Sequence, residues 1–134
     1  MCNFKYRNPL DVNSPKGLVD NVELLFDGGP SSYSIVTLNY DDGPAIGLRW
    51  NVSDHEQMDD DKINGRTECV GIPQSHGYPI WFIIPKSFYR YLRLIIEDEM
   101  TSNDIRTELS IQQISEKIDK VKSPDNSQLY IEKV

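Results

Sequence analysis

Five side chains near the middle of the sequence have the chemistry of a site for a small planar or nucleotide-like ligand. Arg49 and Asn51 lie at the end of one strand-like segment, and His76, Tyr78 and Trp81 lie around the start of another. Arginine and asparagine offer directional hydrogen bonds, and the aromatic residues offer flat rings on which a planar group can stack. Because small-ligand pockets combine such groups, we predict a ligand-binding pocket formed by these five residues.

The two tryptophans allow a second interpretation. Trp50 and Trp81 are large aromatic residues within strand-like segments. Such residues contribute much of the apolar surface that a domain buries. The sequence therefore leaves open whether either ring belongs to the hydrophobic core or lines the pocket.

A cluster of carboxylates follows the first of these segments. Residues 51–66 form a polar insertion with almost no apolar side chains. We predict that residues 54–61 of this loop are mobile and exposed to solvent. As an alternative function, it would dock on a basic surface of a partner protein, as an inhibitor or immunity-type factor would. The residues of this predicted partner-binding surface are Asp54, Glu56, Asp59, Asp60 and Asp61.

The same carboxylates do not have the spacing of a calcium-binding loop. If Asp59 takes the first position of such a loop, Ile63 falls on a ligand position, and if Asp60 takes it, Lys62 does. The glycine patterns of phosphate-binding loops are also missing from the sequence. We therefore predict neither a metal site nor a cofactor.

Two histidines make a small hydrolase a second alternative. His76 follows Ser75, and His55 lies among the carboxylates. Adjacent serine and histidine do not make a catalytic triad, because the imidazole must reach the serine Oγ and be oriented by a third group. We therefore expect a non-enzymatic binding protein. An enzyme stays an alternative, because catalytic residues converge from distant positions of a chain.

As far as residue 85, the segments that must position these side chains have the pattern of strands. Apolar residues alternate in residues 33–40 and 45–50, and the acidic Gly/Pro loop between them predicts a β-hairpin. Residues 22–26 and 67–72 are shorter strand candidates. Residues 80–84 are apolar at every position, which predicts a central strand covered on both faces.

After residue 85, apolar residues recur at helical spacing. The first predicted helix turns one apolar face to the sheet, formed by Phe88, Tyr91, Leu92, Ile95 and Ile96. A second helix is predicted to begin at a capping box made by Ser110 and Gln113. Its apolar stripe is formed by Ile111, Ile114, Ile118 and Val121. Residues 128–134 have the pattern of a short terminal strand.

This order of elements predicts an α+β fold, in which an antiparallel β-sheet from about residue 20 to residue 85 packs with two or three C-terminal helices. Residues 1–134 are expected to form a single domain that begins with an irregular arm over residues 1–20. The first helix covers only one face of such a sheet. Because large exposed apolar patches are rare on monomers, we also predict a homo-oligomer.

The composition restricts the partners and the compartment. The 134 residues include 14 basic and 21 acidic side chains, which gives a net charge of −7. An acidic domain is poorly matched to nucleic-acid phosphates and to anionic membrane surfaces, so we expect neither as a partner. No apolar run approaches the roughly 20 residues that cross a bilayer, and no signal peptide is visible. Together with two unpaired cysteines, this predicts a cytoplasmic protein.

Overall fold

Four antiparallel strands form the main sheet of the computed structural model, which describes residues 3–102 and 109–122. The strands are β1 (Val19–Asp27), β2 (Tyr33–Tyr40), β3 (Gly43–Trp50) and β6 (Phe82–Ile83), and their order across the sheet is β1-β2-β3-β6. A second, two-stranded sheet pairs β4 (Gln74–Ser75) with β5 (Tyr78–Pro79). Both sheets lie within the predicted sheet region.

Most of the helical structure follows the strands. The α-helices are α1 (Asp60–Ile63), α2 (Tyr89–Ser102) and α3 (Ile111–Lys122), and 3-10 turns span Pro9–Asp11, Glu56–Met58 and Lys86–Phe88. The predicted α+β class is confirmed, with α2 and α3 as the C-terminal helices. The predicted terminal strand over residues 128–134 lies outside the described residues. None of the described helices is long and apolar enough to cross a membrane.

The predicted hairpin is formed by β2 and β3, which pair without a break from Tyr33 opposite Trp50 to Tyr40 opposite Gly43. Its loop is shorter than predicted, because Gly43 already belongs to β3. Asp41 and Asp42 make the turn with φ values of 52° and 64°. Two consecutive residues with positive φ are characteristic of the tight turn that matches the twist of paired strands.

The helices cover one face of the main sheet. Buried side chains of α2 and α3 pack there on Phe26, Ile35, Ile46 and Ile84. The stripe predicted for α3 is confirmed, with Ile114, Ile118 and Val121 buried and Ile111 partly buried. The predicted capping box is present too. The Ser110 backbone N–H donates to Gln113 Oε1 at 2.9 Å, and the Gln113 N–H donates to Ser110 Oγ at 3.2 Å.

The face predicted for α2 is correct for Leu92 and Ile96 and wrong for its other three residues. The helix buries Tyr89, Leu92 and Ile96, whereas Phe88, Tyr91 and Ile95 are about half exposed. Apolar residues occupy most positions from 88 to 96, so the sequence has two candidate faces. Packing on the sheet selects the face that carries the Tyr89 ring.

The N-terminal arm covers the other face of the sheet. Val12 is fully buried there in a cluster with Val36, Leu38 and Trp81. The indole N–H of Trp81 donates to the Val12 carbonyl at 2.9 Å. The arm is thus irregular in secondary structure but packed, and a second copy of the chain is not needed to cover this face.

Gly47 makes room for the Trp81 ring. A Cβ atom at this position of β3 would lie 3.1 Å from Trp81 atoms and 2.8 Å from Leu38 Cδ2. Both distances are shorter than a side chain in a packed core allows. Glycine at this position therefore lets the indole lie directly on the sheet.

Two predicted strands differ from the structure. Residues 80–84 do not form a central strand, because only Phe82–Ile83 pairs with β3, at the edge of the sheet. The run is apolar because Trp81 and Ile84 enter the two different cores, while Phe82 is exposed. Residues 67–72 form no regular strand and make only two isolated bridges, which join Cys69 to Tyr6 and Ile72 to Trp50.

The two tryptophans should contribute differently to stability. Trp81 is 5% exposed and Trp50 is 49% exposed. We expect Trp81→Ala to lower the free energy of unfolding by about 3–5 kcal/mol, because it leaves a cavity under the arm. Trp50→Ala should cost less than about 1 kcal/mol. Urea unfolding followed by circular dichroism measures both values, and equal losses would contradict this assignment of core and surface.

Candidate functional site

A cleft of about 470 Å³ lies between the N-terminal arm and the hairpin formed by β4 and β5. The arm lines it with Ser14, Pro15 and Lys16, and the hairpin segment lines it with Ser75, His76, Tyr78 and Ile80. The lining is mainly apolar, with a few hydrogen-bonding groups. This combination, at this volume, is typical of a small-molecule site.

The hairpin presents its polar side chains through a tight turn. Gln74 pairs with Pro79 and Ser75 pairs with Tyr78, so His76 and Gly77 are the two turn residues. Their φ values are 52° and 81°. Histidine is one of the few residues besides glycine that is enriched at positive φ. The turn can therefore hold His76 at the edge of the cleft.

Arg49 holds this hairpin in place from inside the protein. Its side chain is buried, and its guanidinium donates to the carbonyls of Ile80, at 2.7 Å, Pro73, at 3.4 Å, and Val70. These carbonyls lie on either side of the hairpin along the chain. Burial lowers the pKa of Arg49 to about 10, so the side chain remains charged at neutral pH. Arg49 therefore positions the site and does not line the cleft.

Trp81 has the corresponding role for the arm. Its hydrogen bond to the Val12 carbonyl fixes the chain two residues before Ser14 enters the cleft. The Arg49 Cζ atom lies 5.9 Å from the centroid of the Trp81 ring, a distance at which a guanidinium is attracted to the ring. Arg49, which holds the hairpin, and Trp81, which holds the arm, are thus in contact with each other.

Asn51 lies in a different network. Its Oδ1 accepts from Ser34 Oγ at 2.8 Å, and its Nδ2 donates to Asp27 Oδ1 at 3.1 Å and to the Gly29 carbonyl at 2.8 Å. Tyr6 also donates to the Asp27 carboxylate, at 2.9 Å. Asn51 is buried and stabilises the connection between β1 and β2.

Of the five residues predicted to bind a ligand, the structure brings two together in the cleft, His76 and Tyr78. The cleft also contains Ser14 and Lys16, which the sequence analysis missed. About 60 residues separate the arm from the hairpin, and no local pattern joins them. The only signal was the Ser-Pro-Lys-Gly turn, which says nothing about what it packs on.

Glu56 does not belong to the predicted acidic surface, because it is 5% exposed. Its Oε1 accepts from the backbone N–H groups of Ser53 and Gly71, both at 2.9 Å. Its Oε2 accepts from the Val70 N–H and from Lys62 Nζ, both at 2.6 Å. A carboxylate with four such donors can be buried in its charged form.

The sequence contained a signal for this role. Ser53 and Glu56 have the spacing of a capping box, and the Glu56 N–H donates in return to Ser53 Oγ at 3.3 Å. Gly71 completes the arrangement with φ of 73°. Any Cβ there would collide with the backbone carbonyls of Trp50 and Asn51, so only glycine brings its N–H to the carboxylate.

These hydrogen bonds determine the ionisation of Glu56. Burial by itself raises the pKa of the carboxyl group. The bonds from Lys62 and from the three backbone N–H groups outweigh it and lower the pKa to about 2. Glu56 is therefore a charged structural residue inside the loop.

The four aspartates of the predicted surface are exposed. Asp61 pairs with Arg66 at 3.0 Å, and Asp59 accepts from the Asp61 N–H at 3.0 Å and caps α1. The loop is thus more ordered than predicted. A partner for Asp54, Asp59, Asp60 and Asp61 stays a prediction. Within residues 3–102 and 109–122, no group of three potential ligand side chains could hold a metal ion.

The hydrolase alternative gains no support from the geometry. His76 lies in the cleft with Ser14 and Ser75, but among the described residues no hydrogen bond joins its ring to a serine or a carboxylate. A serine nucleophile requires such an oriented base. His55 is exposed before the 3-10 turn Glu56–Met58, and among the described residues no side-chain hydrogen bond joins it to a serine.

No protein-family model, curated protein or solved structure in the comparisons matches this chain.

Neutralising Glu56 should remove a specific part of the pH dependence of stability. Because the pKa of Glu56 is lower in the folded protein than the ordinary value of 4.5, its contribution is present above pH 4.5. It is lost as the pH falls toward 2. This difference between the two pKa values corresponds to a contribution of about 3 kcal/mol to the free energy of unfolding.

We therefore expect Glu56→Gln to lower the free energy of unfolding at pH 7 by about 3 kcal/mol. The difference from the unmodified protein should shrink as the pH falls below 4.5. Urea unfolding at a series of pH values measures it, with the exposed Asp54→Asn as the matched control. A loss in Glu56→Gln no larger than in Asp54→Asn would contradict the structural role.

Proposed function

We propose that the protein is a non-enzymatic cytosolic binding protein whose cleft holds a small planar ligand with an anionic group, such as a nucleotide-like molecule. The observation that carries this proposal is the convergence of Lys16, His76 and Tyr78 on one cleft of about 470 Å³. The cytosolic part rests on Cys69, which is buried and unpaired, as cysteines of cytosolic proteins are.

The cation in the cleft supports an anionic ligand. Lys62 and Lys117 are neutralised within the chain, by Glu56 at 2.6 Å and by Glu23 at 2.7 Å. Lys16 has no carboxylate within salt-bridge distance among the described residues. Its ammonium group can therefore bind a phosphate or carboxylate without first breaking an ion pair.

The aromatic wall supports a planar ligand. The Tyr78 side chain is 66% exposed, although it lies in the cleft. An exposed ring beside a cation offers a stacking surface to a planar group whose charged end reaches the cation. His76 adds a ring nitrogen that can donate to the same ligand.

The way the walls are fixed supports binding without a large rearrangement. The hairpin is tied to β3 through Arg49, and the arm is tied to Trp81. Neither wall has to be ordered when a ligand enters. Preorganisation of this kind increases affinity, because it avoids the entropy cost of ordering a loop.

Isothermal titration calorimetry with three probes tests the proposal. Adenosine 5′-monophosphate combines a planar group and an anion, whereas adenosine and inorganic phosphate each supply one of these. We expect the nucleotide to bind more tightly than either fragment, because it uses Tyr78 and Lys16 together. Absence of binding by all three probes would overturn the proposed ligand class.

Variants of the cleft identify the residues that bind. Tyr78→Ala and Lys16→Ala should each weaken nucleotide binding about tenfold or more, while Tyr78→Phe should retain most of it because the ring remains. Both side chains are exposed, so the melting temperature should stay unchanged. Lys5→Ala, another exposed lysine outside the cleft, is the matched control. Equal affinities in Lys16→Ala and Lys5→Ala would contradict this site.

A further inference from the structure

Helix α2 has a second apolar face that no described element covers. While Tyr89, Leu92 and Ile96 face the sheet, Phe88, Tyr91, Leu94 and Ile95 are each about half exposed. At 3.6 residues per turn, Tyr91, Leu94 and Ile95 form one stripe along about a third of the helix circumference. Phe88 precedes them in the 3-10 turn that leads into α2. We call this set of four residues the α2 stripe. Contiguous apolar surface of this kind marks an interaction site.

The charges of α2 have an unusual order. Arg90 and Arg93 lie in the first half of the helix, and Glu97 and Asp98 lie in the second half. The helix dipole favours the opposite order, with acids near the N-terminus and bases near the C-terminus. The pair of Arg93 and Glu97, 3.2 Å apart, also has the less favourable direction for residues four apart. Stability of an isolated helix therefore does not account for this order.

A basic half followed by an acidic half is self-complementary when two copies of the helix run antiparallel. In a two-fold symmetric contact, the same patch of both copies is used, and each end of the patch meets the other end. The basic half of one α2 then faces the acidic half of the second. The opposed helix dipoles also favour this arrangement.

We propose that the protein forms a homodimer in which the α2 stripes of two copies pack antiparallel around a two-fold axis at Leu94. With the axis there, positions equally far before and after Leu94 face each other across the interface. Asp98 of one copy falls opposite Arg90 of the other, and Tyr91 falls opposite Glu97. Leu94 forms the apolar centre of the contact, with Tyr91 and Ile95 beside it, and Arg90, whose Cζ lies 5.1 Å from the Tyr91 ring centroid, lies at its edge.

This interface is independent of the proposed ligand cleft. The helices cover one face of the main sheet, and the arm that forms one wall of the cleft covers the other face. Dimerisation through α2 therefore leaves the arm free to bind a ligand. Substitutions in the α2 stripe and in the cleft can be tested separately.

The oligomeric state of the full chain tests the proposal. Sedimentation velocity over a hundredfold concentration range should show a mass that rises from 15.4 kDa toward twice that value. Leu94→Glu should hold the mass at the monomer value at every concentration, because it places two like charges on the axis. Asp119→Arg, an exposed residue of α3, is the control and should dimerise normally. Circular dichroism confirms that each variant is folded.

A charge exchange tests the predicted register. Arg90→Asp and Asp98→Arg should each raise the dissociation constant of the dimer about tenfold, because symmetry places the resulting like charges together twice. The double variant, which carries both changes, should recover the original dissociation constant. Failure of the double variant to recover would overturn the antiparallel register. An unmodified protein that stays at 15.4 kDa, or a dimer unaffected by Leu94→Glu, would overturn the interface itself.

Discussion

Two buried charges of opposite sign hold one short segment of backbone, and the remainder of the site depends on this arrangement. The Val70 N–H donates to the Glu56 carboxylate, and the Val70 carbonyl accepts from the Arg49 guanidinium. The positive field of Arg49 and the negative field of Glu56 also stabilise each other across the segment. Glu56 is also neutralised by Lys62, so the loss of Glu56 removes the negative partner of both Arg49 and Lys62. Loss of the partner of a buried charge is among the costliest changes a folded protein can suffer.

This constraint replaces regular secondary structure over a long stretch of chain. Between Trp50 and Phe82, the chain has one short α-helix, one 3-10 turn and a two-stranded hairpin. Few backbone hydrogen bonds of a β-sheet are available in this stretch to fix the path of the chain. Hydrogen bonds to the charged side chains of Glu56 and Arg49 supply the missing order, and bonds to charged groups are stronger than bonds between neutral ones. The hairpin that carries His76 and Tyr78 therefore emerges from a rigid base.

The same logic separates the residues that position the cleft from those that can bind within it. Arg49 and Trp81 are buried, and their hydrogen bonds go to backbone carbonyls. Lys16 and Tyr78 lie on the two segments that these residues hold, and both line the cleft. Such a division is common in binding sites, where loops on a rigid scaffold carry the functional groups.

Local patterns in the sequence determined the class of the fold, the β2–β3 hairpin, and the extent and capping of α3. These features follow from periodicity and from hydrogen bonds between residues three or four apart, so a short window of sequence contains their causes. The burial of Glu56 also had a local signal in the sequence, because Glu56 and Ser53 have the spacing of a capping box. Only the tertiary structure decided that Trp81 is buried while Trp50 is exposed, that α2 turns Tyr89 to the sheet, and that Lys16 and Tyr78 line the same cleft. Each of these features depends on contacts between residues far apart in the chain. The type of a side chain does not determine which distant segment of the chain will bury it.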